Sequence, residues 1–367
     1  MSWFYRHVAR PLLFSQDSEA IHERTMRGLA LASQSALVCQ AIHGWFNVPD
    51  LPVTRFGLRF TNPVGLAAGM DKQAVAVPLW AAFGFGFSEL GGVTWLAQLG
   101  NSKPRMFRAV ADEAIINRMG FNNGGAPRMA LRLQEWRTRG LWPNHPVGIN
   151  LGKSKATPLD QAANDYAASF VTLWKCADFF VVNVSSPNTP NLRQLQDKGA
   201  LDEILARLQA VNVEMAIDGH LPKPILVKVS PDLTFDALDD IVSLVGPRKL
   251  AGLVATNTTL ARPDTADYLT TQLYRETGGL SGRPLRARST EIIRHLYRAT
   301  QGQVPIIGVG GISTADDAWE KVTAGASLVQ FYSAMVYEGP GLTGRLVHGL
   351  RERLAGGNWD QAVGSAA

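Results

Sequence analysis

Eight short runs of apolar, largely β-branched residues recur along this chain, and they constrain its fold more than any other feature. They fall at residues 64–68, 87–93, 147–151, 179–184, 225–229, 252–256, 305–309 and 327–331. Their apolar character is continuous rather than alternating, so both faces of each strand are buried, as in a parallel sheet covered by helices. A helical pattern follows each run, clearest where Tyr166, Phe170 and Trp174 recur every four residues. Eight strand–helix units in succession predict an α/β fold, a closed (β/α)8 barrel of the TIM type, rather than an open doubly wound sheet. No Gly-x-Gly-x-x-Gly follows the first run, which further weakens the case for a dinucleotide-binding fold.

The first 46 residues stand apart. Ile21, Thr25, Gly28, Leu29 and Ala32 share one helical face, and Leu37, Val38, Ala41, Ile42, Trp45 and Phe46 form a stronger stripe, so two short amphipathic helices are expected. Pro49 and Pro52 end the pattern, and residues 53–62 read as a hairpin turned at Gly57. The expected divisions are an N-terminal helical extension at 1–46, a catalytic barrel at 47–354 and a fraying C-terminal tail at 355–367. Residues 28–49 carry no formal charge, but Ser33, Gln34, Ser35, Gln40, His43 and Asn47 interrupt them, so no transmembrane helix is expected. No secretory signal is expected either, because no small-residue cleavage site follows the weakly basic start.

With 46% hydrophobic and 18% charged residues, the chain has ample material for a large core. The net charge of +5 is scattered, without a basic patch interleaved with aromatics, so nucleic-acid binding is not expected. Cys39 and Cys176 are far apart and lack metal-ligand partners at useful spacing, so they read as small apolar groups rather than a disulfide or zinc site.

In barrels of this type reactive groups sit on loops leaving the C-terminal strand ends, and unusual polar residues collect there. The first run ends in Ala68, Gly69, Met70, Asp71 and Lys72, the third in Asn150, and the fourth in Asn183, Ser185, Ser186 and Asn188. The fifth carries Lys228, and the sixth ends in Thr256, Asn257 and Thr258. Glycines at 278, 279 and 282, on the long loop after the sixth run, and at 310 and 311 either make tight turns or let backbone N–H groups close on an anion. With Tyr332 and Ser333 ending the eighth run beside them, these three adjacent loops favour a phosphate. Lys228 lies among apolar neighbours, where an uncompensated cation is costly and a bound anion would relieve it. Asn117, Asn183, Asn188 and Asn257 offer donors and acceptors to a planar ring of amide and imide groups. No carboxylate pair or metal cluster of convincing spacing accompanies them, which argues against hydrolysis.

Five long motifs, at residues 62–72, 116–123, 183–190, 277–284 and 306–312, resemble those of the quinone-linked dihydroorotate dehydrogenases, over a match running from Phe56 to Leu342. That resemblance implies oxidation of dihydroorotate to orotate in pyrimidine synthesis, with one flavin mononucleotide (FMN) per subunit and a membrane quinone as final acceptor. It implies that Ser186 is the base taking the C5 proton while hydride leaves C6 for the flavin. Substrate contacts would come from Lys72, Asn117, Arg118, Met119, Gly120, Phe121, Asn183, Asn188, Asn257 and Thr258. Flavin contacts would come from Ala68, Gly69, Met70, Asp71, Lys72, Gly92, Asn150, Asn183, Lys228, Thr256, Gly282, Gly311, Tyr332 and Ser333.

The same resemblance implies a quinone tunnel at His22, Arg108 and Tyr332, and a monomer held peripherally on the cytoplasmic face of the cell membrane by its N-terminal helices. Two uses of their apolar stripe are open: resting in a bilayer interface, or packing on the barrel. Ser186 and the extension separate the chain from flavin barrels that use nicotinamide or fumarate. Four positions depart from the family pattern: Gly92 replaces a threonine or serine, Trp95-Leu96 a proline and its polar neighbour, and Asn191 a glycine.

Overall fold

Eight parallel strands close into a barrel in simple sequential order: β1 (Val64–Leu66), β2 (Phe87–Val93), β3 (Val147–Leu151), β4 (Phe179–Asn183), β5 (Ile225–Val229), β6 (Gly252–Ala255), β7 (Ile306–Val309) and β8 (Leu328–Phe331), with β8 pairing back to β1. The computed structural model describes residues 2–189, 191–217 and 220–367. Pro190, at the end of one motif, lies outside the described residues. All eight expected strands are present. Several are a residue or two shorter than the apolar runs, because the backbone leaves the ladder to form the polar loops at their C-terminal ends. The β2–β3 register shifts between Gly91 and Val93, so Gly92 sits at an irregularity of the strand.

Aromatic rings plug the N-terminal end of the barrel. The expected hairpin is formed by Val53–Arg55 and Leu58–Phe60, with Phe56 and Gly57 both at positive φ (55° and 74°) in the turn. It delivers Phe60 edge-on to Phe87, 5.3 Å between centroids, beside Phe179 and Phe56. Glycine is required opposite these rings, since a Cβ on Gly65 would lie 2.2 Å from Phe87 and one on Gly148 would lie 2.2 Å from Phe179. Full burial of such a side chain stabilises the fold by about 1.5–3 kcal/mol.

Two parts of the barrel domain differ from expectation. The helix after β2 does not follow at once: it begins at Ala126, after a hairpin of Met106–Ala109 and Ala114–Asn117. Gly279–Gly282, expected as loop, is a strand that pairs with Ala114–Asn117 and completes a three-stranded antiparallel sheet beside the barrel mouth. Its glycines serve close approach, since a Cβ on Gly279 would lie 1.9 Å from the Thr258 hydroxyl. The C-terminal tail is docked rather than frayed. Trp359 is buried and donates its indole N–H to Ser327 O (3.1 Å), while the Gly364 and Ala366 amides bond Val322 and Thr323 carbonyls. The indole and these backbone bonds together hold a segment with few other large apolar side chains.

Both expected N-terminal helices form, Ser18–Ala32 capped by the Asp17 carboxylate and Ala36–Phe46 capped by Ser35. The chain before them is helical too, in Ser2–Phe4, Tyr5–Ala9 and Arg10–Phe14, which the sequence pattern does not announce. This first run lies against helix Ser333–Glu338 at the barrel mouth: Tyr5 OH donates to Val336 O (2.8 Å), and Phe14 meets Tyr337 edge-on at 5.4 Å. The stripe of the later helix is divided. Cys39, Ile42 and Phe46 pack on the core, whereas Leu37 (77%) and Trp45 (73%) are exposed, as are Trp3 (68%) and Leu12 (67%). Among the described residues no helix is long and apolar enough to cross a membrane.

Candidate active site

A cavity opens at the C-terminal ends of the strands, and the polar strand ends converge on it. Its floor is an amide network inside the barrel. Asn183 Nδ2 donates to Asn150 Oδ1 (2.9 Å), and Asn183 Oδ1 accepts from Asn257 Nδ2 (3.2 Å) and the Ser185 hydroxyl (3.0 Å). Below it lies Glu89, fully buried, which accepts from Asn150 Nδ2 (2.6 Å) and Gln330 Nε2 (2.8 Å). Lys228 Nζ is 3.8 Å from Glu89 Oε1, so its counter-charge is a residue of the protein, not only a ligand as its sequence surroundings suggest.

Ser186 is buried in the wall, its hydroxyl oxygen accepting the Asn188 amide N–H at 3.3 Å. Asn188 Nδ2 donates to Asn117 Oδ1 (3.1 Å), which ties the β4 loop to the antiparallel sheet. Asn188 Oδ1 is buried without a hydrogen-bond partner among the described residues, as is Gln330 Oε1. Lys72 donates to Asn122 Oδ1 (2.8 Å), and burial, with the Arg105 charge added, pulls its ammonium down to about 8. Burial pushes the Tyr332 phenol up to about 12, so it stays protonated. On the opposite wall Ser281 and Ser333 hydroxyls are 2.8 Å apart, beside Gly282, Gly310 and Gly311 at φ of 104°, 127° and 70°. A Cβ on Gly311 would lie 2.6 Å from Arg286 at the start of helix Arg286–Ala299, so this wall is bare backbone.

The sequence profile described as Dihydroorotate dehydrogenase matches residues 50–354. A protein of Gloeobacter violaceus named dihydroorotate dehydrogenase (quinone) is 52% identical, covering 98% of each chain. One of the same name from Chloroflexus aurantiacus is 49% identical, over 94% of this chain and 95% of its own. The crystal structure of DHODH in complex with ferulenol from Eimeria tenella superposes with a TM-score of 0.83 at 36% identity, covering 95% of this chain and 96% of that one. The chain belongs to the dihydroorotate dehydrogenase family. It is a flavin-dependent oxidoreductase on a TIM barrel.

Set against the positions that resemblance to dihydroorotate dehydrogenases implies, the structure brings most together on this cavity: the flavin positions other than Met70 and Asp71, the substrate positions other than Arg118, and of the tunnel positions Tyr332. Met70 packs into the core. Asp71 is buried and accepts from the Val75 and Ala76 amides (2.9 Å each) and the Trp80 indole (3.1 Å), so it shapes the loop after β1 without reaching the cavity. Arg118 donates to Glu276 (2.7 Å) and Pro104 O (2.8 Å), bracing the antiparallel sheet from outside. Arg108 lies over the Phe14 ring at 4.5 Å and donates to Phe14 O, gripping the first helical run. His22 does not line the cavity but feels the Lys72 charge, and burial together with that charge holds its imidazole down to about 4.

Glu89 and Gln330 escaped sequence reasoning, and Ser185, Asn122 and Ser281, which stand in the strand ends and motifs read there, were given no role. For Glu89 and Gln330 a signal existed, since Glu89 is the one charged residue and Gln330 the one polar residue of a strand buried on both faces.

Proposed function

We propose that this chain oxidises dihydroorotate to orotate in pyrimidine synthesis and passes the electrons through FMN to a membrane quinone, with Ser186 as the catalytic base. The convergence of Ser186, Lys72 and the asparagines on one cavity is the observation that carries this reading. The donor set fits FMN: amides and an ammonium for a polar ring edge at the floor, and a bare-backbone wall with two hydroxyls for a phosphate. Ala68, Gly69, Gly92, Asn150, Lys228, Thr256, Gly282, Gly311 and Ser333 would hold it, one per chain. Bound FMN supplies the two-electron acceptor.

The residues of the chain do the rest. Lys72 offers a cation to the substrate carboxylate, and Asn117, Asn188 and Asn257 offer donors and acceptors to the ring amide and imide. The unpartnered Asn188 Oδ1 supports a donor on the ligand. Ser186 takes the C5 proton as the C6 hydrogen leaves with its electron pair. A hydroxyl is a weak base at its free pKa, so the step depends on the acidity of a C–H beside a carbonyl and on onward relay of the proton.

For the quinone half, the first helical run packs against Tyr337 and leads from the surface to a cavity that Tyr332 and Tyr337 both line. The exposed Trp3, Leu12, Leu37 and Trp45 suit a bilayer interface at the cytoplasmic face, where residues 1–46 would form a peripheral docking unit of a monomeric enzyme. The test is anaerobic: dihydroorotate should bleach the yellow of the purified protein, and a quinone added afterwards should restore it. Protein purified without flavin, or flavin that stays oxidised under excess substrate, would refute the proposal.

A further inference from the structure

Glu89 faces neither solvent nor the cavity, and the proposed chemistry gives it no part. Its position on β2 places it against side chains from β3, β5 and β8, namely Asn150, Lys228 and Gln330. A buried carboxylate is costly unless each oxygen is partnered, and here Oε1 takes Asn150 and the Lys228 charge while Oε2 takes Gln330.

A carboxylate only accepts, whereas each asparagine amide has one donating and one accepting end. Asn150 must therefore turn Nδ2 down to Glu89, which turns Oδ1 toward Asn183. Asn183 must in turn present Nδ2 to that oxygen, which leaves its own Oδ1 for Asn257 and Ser185. The Asn257 amide is then committed as well, its Nδ2 to Asn183 and Ser185 and its Oδ1 to the Thr258 N–H at 2.7 Å. The choice made at one carboxylate thus propagates through three amides to the cavity surface. Each amide, flipped alone, would set donor against donor or acceptor against acceptor.

We propose that Glu89 is a positioning residue that sets the donor–acceptor orientation of Asn150, Asn183 and Asn257 and offsets the charge of Lys228 beneath the flavin site. It touches no reacting atom. Its effect is to hold the floor in one hydrogen-bonding pattern before a ligand arrives and to keep Lys228 from acting as a full isolated cation. The inference rests on flavin occupying the cavity.

The experiment compares wild type with Glu89→Gln as purified holoenzymes, reading the flavin midpoint potential, the FMN dissociation constant and the KM for dihydroorotate. Glutamine keeps the shape but can donate as well as accept, and it carries no charge. The potential should move to more positive values, because an unbalanced Lys228 favours the more negatively charged reduced flavin. FMN affinity should fall about tenfold and KM rise by a similar factor, the effect of one misdirected hydrogen bond to a polar ligand. A folded Glu89→Gln protein with unchanged potential, FMN affinity and KM overturns the inference.

If Glu89→Gln does not fold, the isolated Lys228 cation is the predicted cause, and Glu89→Gln combined with Lys228→Met should recover folded protein. A double variant that also fails overturns the inference in favour of plain packing. Wild type that binds no flavin would instead defeat the proposed function, so the two failures are distinct.

Discussion

The cavity floor and the N-terminal helices lie close together but are built on opposite physical terms. In the floor, polar groups are largely withdrawn from water, and Glu89, Asn150, Asn183 and Asn257 form one directed chain in a medium where an unmet donor or acceptor costs about 1–3 kcal/mol. In the extension the relation is reversed, since large apolar groups such as Trp3, Leu37 and Trp45 stand in water while the helices are tied down by a few contacts, among them Arg105 with Glu19 (2.7 Å) and Tyr5 with Val336. A finished polar interior suits a site that must hold one ligand in one pose. Unfinished apolar cover suits a surface completed by another phase.

The contrast can be broken at several points. The largest effect is expected at Ser186: alanine there should slow anaerobic flavin reduction by about 10²–10⁴, the usual share of a general base, with flavin still bound. An unchanged rate would move the base elsewhere. Next comes the folding equilibrium in acid. His145 is buried, with Nδ1 2.6 Å from Phe85 O and Nε2 3.1 Å from the Ser88 hydroxyl, and burial holds its imidazole down to about 4.

The unfolded chain therefore binds the proton first, and stability present above pH 6.5 should be lost as pH falls from about 6.5 to about 4, by roughly 3 kcal/mol. His22 titrates in the same direction and window but is only half-buried, so His145→Gln should flatten an acid denaturation series more than His22→Gln. Equal flattening would erase the distinction between interior and extension.

Replacing Trp3, Leu37 and Trp45 together by serine should weaken recovery with anionic lipid vesicles, and quinone turnover with it, by about tenfold or more, while flavin reduction by dihydroorotate stays within about twofold. Equal losses in both half-reactions would make the extension part of the site. The smallest effect concerns Lys72. Its charged form is present below its depressed pKa of about 8, so kcat/KM should fall as pH rises through that value, by up to tenfold per pH unit, while a profile flat to pH 9.5 would remove Lys72 from substrate binding.

What the sequence made legible follows the same division. The eight strands could be read because burial on both faces leaves continuous apolar runs, and the polar strand ends could be read because asparagines and glycines gather on adjacent loops at one end of the barrel. Partnership was harder. Lys228 betrayed its need for a counter-charge, but nothing in its own strand names Glu89, more than a third of the chain away. Gly279–Gly282 looked like a loop because its pairing partner, Ala114–Asn117, belongs to a distant segment. The docked tail carries one large apolar side chain, Trp359, and is otherwise held by backbone hydrogen bonds that leave no pattern, and the helix over residues 10–14 shows no stripe because its packing face is one ring, Phe14.

The three-stranded sheet at the mouth also sets the order in which the enzyme becomes an enzyme. During synthesis the early barrel strands can pair with neighbours as they emerge, but Ala114–Asn117 keeps one edge open until residues 279–282 exist, and Ser281 reaches Ile115 across 166 positions. Such a distant closure is slow, and an open edge invites other chains meanwhile. The wall that carries Asn117 is therefore assembled late, and a nascent chain stalled before residue 279 lacks that wall as well as β7 and β8 and has no competent binding site. Ligands added during refolding should rescue yield only in chains long enough to have closed that sheet.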